Sequence, residues 1–170
     1  NVARTSLKQL SDSGVDGNLL QLLDEGEAEI RVQAIGALAS RGAAIAVNPL
    51  LKTAEDADAS VRGAATAALG VLAGKSDLIP IVKLATVAKE KEDQTALVEA
   101  MGKIFLRIQD RDVCAAPVLA ELQIAPATAR PTLLRILGKT GASQALLRVR
   151  TALKDSDSAM KGAAVEALAD

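Results

Sequence analysis

Apolar side chains recur every three or four residues along this chain, in short stretches that polar turns separate. This spacing places them along one side of an α-helix, whereas a strand would alternate them. In the stretch SVRGAATAALG (Ser60–Gly70) the pattern predicts a helix with a core side formed by Val61, Ala65, Leu69 and the following Leu72. The opposite side carries mostly small residues, so neighbouring helices can approach it closely.

The same pattern returns in further copies. EIRVQAIGALA (Glu29–Ala39) precedes this stretch by 31 residues, and later copies follow at offsets of 32, 36 and 31. One large apolar residue recurs at the same position of every copy. The series is Leu7, Leu38, Leu69, Met101, Leu137 and Leu168. Leu7 implies that a further copy precedes the one at Glu29–Ala39. A second helical pattern precedes each copy, and its residues expected in the core are Leu19, Leu23, Leu50, Leu51, Ile81, Leu119 and Leu153.

A repeat of this length, built of two antiparallel helices, is typical of an α-solenoid. We therefore predict an all-α, right-handed superhelix of about five helix pairs plus one leading helix, in a single domain over residues 1–170. The predicted segments are 1–13, 14–42, 43–74, 75–109, 110–141 and 142–170. Because both ends read as the middle of a helix, we expect a segment of a longer protein whose terminal repeats weakly self-associate.

Turn residues indicate where the helices begin and end. Three prolines stand 12 or 13 residues before the next repeated helix, where a first helical turn tolerates them: Pro49, Pro80 and Pro117. Glycines expected in the left-handed conformation after a helix are Gly14, Gly42, Gly74 and Gly141. Asp58 and Asp157 precede helices as N-caps.

These residues resemble HEAT repeats, most closely the short HEAT-like repeats first named from phycobilisome lyases. The likeness covers essentially the whole chain and rests on PLL in the first helix, an acidic turn, and VRxxAAxALG in the second helix. It implies that the second helices line the concave side and that a basic column pairs with acids in the turns: Arg31, Arg62, Arg130 and the variant Lys161. Two copies depart from the pattern, because Gln94 replaces the arginine in one and Pro131 enters the helix start of another.

The composition argues against a reaction centre. The chain has no histidine, one cysteine and no glycine-rich phosphate-binding motif, so histidine-based catalysis and histidine- or CxxC-ligated metals are excluded. We predict no enzymatic activity, no cofactor and no metal site, and we expect Cys114 to be a buried structural thiol. Since no apolar run is long enough for a membrane span, we expect a soluble protein, either cytoplasmic or extracytoplasmic.

Three functional hypotheses remain. The first is a non-catalytic scaffold for protein partners, with candidate contacts on the outward side of the second helices at Glu99, Lys103, Arg135, Lys139 and Glu166. The second is binding of nucleic acid or another anionic partner through residues 101–154, which hold nine basic and three acidic residues, although no Trp or Tyr could stack on bases. The third, implied by the resemblance, is an accessory or subunit of a bilin-lyase-like enzyme.

Each of these hypotheses has a purely structural counterpart. The candidate contact residues could form only a solvated face, and the basic column could serve only to pair the repeats. The small residues that recur at one position of the second helices could either ease helix packing or form the floor of a partner site: Ala39, Gly70, Gly102, Gly138 and Ala169.

Overall fold

The computed structural model describes residues 13–169, and every regular element within them is a helix. The predicted all-α fold is therefore confirmed. The chain divides into two compact units, residues 1–72 and 73–170. The leading helix predicted over residues 1–13 lies, apart from Ser13, outside the described residues.

The first unit contains two helix pairs in its described part. The elements are α1 (Ser13–Glu25), α2 (Ala28–Arg41), a 3-10 helix (Ala44–Ala46), α3 (Val47–Thr53) and α4 (Ala59–Leu72). Helix α1 packs on α2, and α3 packs on α4. The second helices of the two pairs, α2 and α4, also pack side by side, as stacked repeats require.

The second unit contains three helix pairs. Its elements are a 3-10 helix (Lys75–Asp77), α5 (Leu78–Val87), α6 (Lys91–Arg107), α7 (Arg111–Ile124), α8 (Arg130–Gly138), α9 (Ser143–Ala152) and α10 (Ser158–Ala169). The first helices α5, α7 and α9 pack in one layer, and the second helices α6, α8 and α10 pack in another. This two-layer arrangement of antiparallel pairs is that of an α-solenoid.

The repeated apolar position lies in the core. Leu38, Leu69, Met101 and Leu137 are all fully buried, as the repeat predicts. The last member, Leu168, is 43% exposed, and it lines an open cavity together with residues of the α8–α9 turn and of α9. Leu7, the first member, lies outside the described residues.

Half of the remaining core predictions are confirmed. The residues confirmed as buried are Val61, Ala65, Leu23, Leu50 and Ile81. Those that are only half-buried are Leu19, Leu51, Leu72 and Leu119. The prediction for Leu153 is wrong, since this side chain is 39% exposed. It follows the end of α9, and the core side of that helix is formed by Val149 and Ala152 instead.

Glycines end two of the predicted helices in the expected way. Gly42 and Gly141 have φ values of 69° and 62°, the left-handed conformation that glycine adopts without strain. The prediction for Gly74 is wrong, because its backbone is extended and its N–H donates to the Asp77 carboxylate at 2.8 Å. Gly14 lies inside the first turn of α1 and does not end a helix.

Aspartates begin two of the repeated helices, as predicted. The Asp58 carboxylate accepts the backbone N–H groups of Ser60 at 2.8 Å and Val61 at 3.2 Å. Together with the Ser60 hydroxyl, the largest cause, these bonds lower the pKa of Asp58. The Asp157 carboxylate accepts the N–H of Ala159 at 2.8 Å at the start of α10.

The three prolines do not share one position. Pro49 and Pro80 are each the third residue of a helix, in α3 and α5, where proline is tolerated. Pro117 is in the interior of α7, so its predicted place in a first turn is wrong. The helix begins earlier than its apolar pattern, at Arg111, because Asp110 caps it. Proline there removes one hydrogen bond inside the helix.

Among the helices of residues 13–169, none has both the length and the apolar character that a membrane crossing requires.

Candidate protein-binding surface

The predicted contact residues lie on one layer of the second unit. Glu99 and Lys103 are exposed and stand one helical turn apart on α6. Arg135 and Lys139 stand in the same relation at the end of α8 and are half-buried. Because α6, α8 and α10 are neighbours, these side chains and Glu166 of α10 form one continuous surface, named here the B-helix face.

Contacts between neighbouring helices hold part of this face in place. The Nη1 atom of Arg135 lies 3.4 Å from Oε2 of Glu166, which joins α8 to α10. The Nε of Arg135 is buried and has no hydrogen-bond partner among the described residues. A Cβ at Gly102 would lie 3.8 Å from Cδ of Lys139, so the lysine stem crosses over α6. Glu99 and Lys103 are exposed, and no ion pair with another residue of the range 13–169 holds them.

The small-residue column is used for packing within this layer. A Cβ at Gly138 would lie 2.7 Å from the Cβ of Ala167, closer than any real contact. Glycine is therefore what allows α8 and α10 to approach each other here. The neighbouring Gly102 is covered by the Lys139 stem. Close packing of the helices, rather than a site for a partner, thus accounts for the small residues at Gly102 and Gly138.

The basic column has a shared task that the sequence did not reveal. Two of its arginines, and the glutamine that replaces a third, donate to backbone carbonyls five or six residues earlier, at the end of the preceding helix or in the turn after it. The bonds are Arg62 to Asp56 and Ala57 at 3.0 Å, Gln94 to Ala88 at 3.1 Å and Lys89 at 3.4 Å, and Arg130 to Ala125 at 3.1 Å. The amide of Gln94 replaces the guanidinium in this task, so that copy keeps the connection between its two helices.

Arg31 is the column member that pairs with an acid of the next turn, as the resemblance implies. Its Nη2 donates to Oδ2 of Asp56 across the junction between two repeats. This bond is the largest cause of a lowered pKa at Asp56, and the backbone N–H of Asp58 adds to it. Lys161, the variant member, is exposed at the start of α10. The structural interpretation of the column is thus supported at Arg31, Arg62 and Arg130.

Several basic side chains of residues 101–154 are held by contacts inside the second unit. At least four of the nine basic residues contact atoms of that unit, three through hydrogen bonds and one through an ion pair. They are Arg107 to the Ala73 carbonyl at 2.7 Å, Arg111 to the Gly141 carbonyl at 3.3 Å, Arg130 to Ala125, and Arg135 to Glu166. Three of these partners are neutral carbonyls, and Arg107, Arg111 and Arg130 remain exposed, so the bonds position these cations without neutralising them.

Cys114 is 1% exposed on the core side of α7. Burial raises the pKa of its thiol, and the nearby carboxylate of Asp110 raises it further. A thiol in such surroundings is a poor nucleophile, since the thiolate is the reactive form. Among residues 13–169, no group of three carboxylate, thiol or imidazole side chains is placed to hold a metal ion.

The fold and this surface define a repeat protein of the α-solenoid class, with paired helices in two layers and a polar face on the second layer. The family model for HEAT repeats matches residues 17–102, just over half of the chain. The chain therefore belongs to the HEAT repeat family. This match does not separate the phycobilisome-lyase type from other HEAT repeats, so the finer assignment stays a prediction. No curated protein matches the sequence.

Proposed function

We propose that this protein is a non-catalytic scaffold that binds a protein partner on the B-helix face of its second unit. The observation that carries the proposal is the exposure of the oppositely charged Glu99 and Lys103, one turn apart on α6, in the same helix layer as the Arg135–Glu166 ion pair. Exposed charges can pair with complementary charges of a protein partner and so help to select it. HEAT repeats provide extended surfaces of this kind for protein interaction.

The absence of catalysis is part of the same proposal. The sequence has no histidine, and its one thiol is buried with a raised pKa. Acid–base and nucleophilic chemistry at neutral pH rest mainly on such groups. The bilin-lyase alternative rests on the resemblance alone and gains no support from the site. The nucleic-acid alternative lacks Trp and Tyr side chains for base stacking.

Weak self-association is a second proposal, supported by apolar exposure at one end of the second unit. Leu147 of α9 is 70% exposed, and Val165 and Leu168 of α10 are 60% and 43% exposed. Apolar surface of this kind favours contact with another copy. We expect Val165→Ser to lower any concentration-dependent increase in mass measured by sedimentation equilibrium. A mass that stays that of one chain at all concentrations would exclude this contact.

The scaffold proposal is tested by swapping charges on the face without changing the net charge. The double variant Glu99→Lys with Lys103→Glu reverses two exposed charges on α6. The matched control, Lys83→Glu with Glu121→Lys, makes the same exchange on the first-helix layer, in α5 and α7. Partners are captured from the source lysate on the immobilised chain and quantified by mass spectrometry.

The expected result is that at least one captured protein is lost with the α6 swap and retained with the control swap. Equal retention by both variants would contradict the B-helix face as the binding surface. Equal loss with both would show that binding depends on charge in general. Circular dichroism spectra of both variants should overlay that of the original chain, because all four positions lie outside the fully buried core.

A further inference from the structure

A cleft of about 320 Å³ opens at the end of the B-helix face. It lies between the last turn of α6, the first turn of α7 and the turn from α8 to α9, all within the second unit. Its inner wall is formed by the buried side chains of Phe105, Cys114 and Thr140. Its rim carries Leu106, Ile108, Gln109, Arg111, Lys139 and Gly141.

The cleft combines apolar surface with positive charge. Leu106 is 88% exposed, more than any other large apolar side chain in the described part of the chain. Phe105 and Ile108 extend the apolar surface inward. A leucine left in water at the mouth of a cleft has no role in the core, and an apolar side chain of a partner could cover it.

Arg111 is held at the rim by its own contacts. Its Nη1 donates to the Gly141 carbonyl at 3.3 Å, and a Cβ at Gly141 would lie 3.5 Å from Nη1. The guanidinium therefore rests against the α8–α9 turn, which glycine leaves bare. A guanidinium has five N–H donors and this bond uses one of them. The remaining donors suit a carboxylate, which arginine binds in a two-bond geometry.

The charge of the cleft favours an acidic occupant. Lys139 joins Arg111 at the rim, and no carboxylate lines the cleft. The nearest acid in sequence, Asp110, already accepts the N–H groups of Asp112 and Val113 at 3.1 Å. The two cations at the rim favour an acidic peptide over a basic one. A phosphate backbone would gain nothing from the apolar inner wall, and Trp and Tyr for base stacking are absent from the sequence.

We infer that this cleft binds a short acidic peptide segment of a protein partner, with an aliphatic side chain against Leu106 and a carboxylate on Arg111. This inference rests on the proposed scaffold function and names the chemistry of the partner. A peptide bound here would extend along the B-helix face, because Lys139 belongs to both. Complementary charge and apolar contact would then together select the partner.

The test uses the full chain and a fluorescein-labelled probe peptide in which pairs of leucines alternate with aspartate and glutamate. Two control peptides replace either the acids by their amides or the leucines by alanine. Binding is measured by fluorescence anisotropy at fixed ionic strength, because charge-driven contacts depend on salt. We expect the probe to bind at least about tenfold more tightly than either control peptide, since each control removes one kind of contact.

Variants then locate the bound probe. Arg111→Gln and Leu106→Ala should each weaken binding, the first by about tenfold, as expected for loss of one charge-assisted pair. Arg148→Gln removes an equal charge from an exposed position on α9 that does not line the cleft, and it should leave binding unchanged. Because Leu106 is so exposed, Leu106→Ala tests the cleft even if Arg111→Gln disturbs the turn.

Three results would overturn the inference. They are no binding of the probe, equal binding of the amide peptide, and equal losses from Arg148→Gln and Arg111→Gln. Displacement of the probe by a single-stranded DNA oligonucleotide, with DNA affinity lowered equally by both arginine variants, would assign the charge to nucleic acid instead. If the probe peptide does not bind but the α6 charge swap still abolishes capture of a partner, the proposed scaffold function stands. Only the assignment of this cleft as a peptide site is then refuted.

Discussion

Replacing Gly138 with alanine should destabilise this protein, although alanine is the better helix former. Gly138 is the last residue of α8, at the point where this helix meets α10. A Cβ added there would lie 2.7 Å from the Cβ of Ala167, 2.9 Å from its carbonyl oxygen and 3.0 Å from its Cα. Two of these three atoms belong to the backbone, so no side-chain rotation can relieve the clash.

The size of the effect follows from two opposing terms. Carbon atoms in contact are ordinarily about 3.5–4.0 Å apart, so α10 must move away by several tenths of an ångström or more. Overpacking of this kind costs about 1–3 kcal/mol. The higher helix propensity of alanine returns at most about 1 kcal/mol, and less at the last residue of a helix. We therefore expect Gly138→Ala to lower the free energy of unfolding by about 1–2 kcal/mol.

Two other glycines of the same unit provide matched controls. A Cβ at Gly162 of α10 would meet no atom within 4 Å, and a Cβ at Gly102 would meet only the Lys139 stem at ordinary distance. Gly162→Ala should raise the free energy of unfolding by about 0.5–1 kcal/mol, and Gly102→Ala should not lower it. Adding Ala167→Gly to Gly138→Ala should restore stability only in part, because the backbone atoms of residue 167 remain.

The measurement is urea unfolding followed by circular dichroism at 222 nm for the four variants and the original chain. Variants are compared only where the free energy of unfolding falls with urea concentration at the same slope, so that a shift in the urea midpoint reports a change in stability. If Gly138→Ala were as stable as Gly162→Ala, the close approach of α8 and α10 would be refuted. Full rescue by Ala167→Gly would show that the clash is between side chains alone.

Three further predictions concern the core and two ionisable groups. Leu69→Ala should lower the free energy of unfolding by about 2–5 kcal/mol in the same urea assay, because this side chain is fully buried. A loss below about 0.5 kcal/mol would contradict the helix register. Arg31 lowers the pKa of Asp56 in the folded state, so the pair stabilises the fold at pH values above the ordinary pKa of 3.8, and this contribution is lost as the pH falls through the lower folded pKa. Asp56→Asn should therefore flatten the decline of thermal stability between about pH 5 and 2. An unchanged pH profile would refute this link. Burial raises the pKa of the Cys114 thiol, so little thiolate forms in the folded chain at pH 9, the ordinary pKa of a thiol. Iodoacetamide should therefore alkylate the native chain at least about tenfold more slowly than the chain unfolded in urea. Equal rates would show an accessible thiolate.

The sequence was sufficient to predict the helix pairs, because helical periodicity is a local property of the chain. Leu38, Leu69, Met101 and Leu137 could be placed in the core from their recurrence alone, since every copy must bury the same side of its second helix. The caps at Asp58 and Asp157 were equally predictable, because a cap acts within two or three residues. The candidate charges of the B-helix face could likewise be assigned to one side of each helix.

Only the tertiary structure decided which residues meet across the repeats. Gln94 reads as a departure from the arginine column, yet its amide reaches the same turn carbonyls. Gly138 reads as one small residue among several, and its need for glycine appears only when Ala167, 29 residues later, lies against it. The cleft beside Leu106 and Arg111 is likewise assembled from three separate segments. A sequence pattern specifies which side of a helix is apolar, but distances between helices depend on how all the side chains pack together, and that is decided in three dimensions.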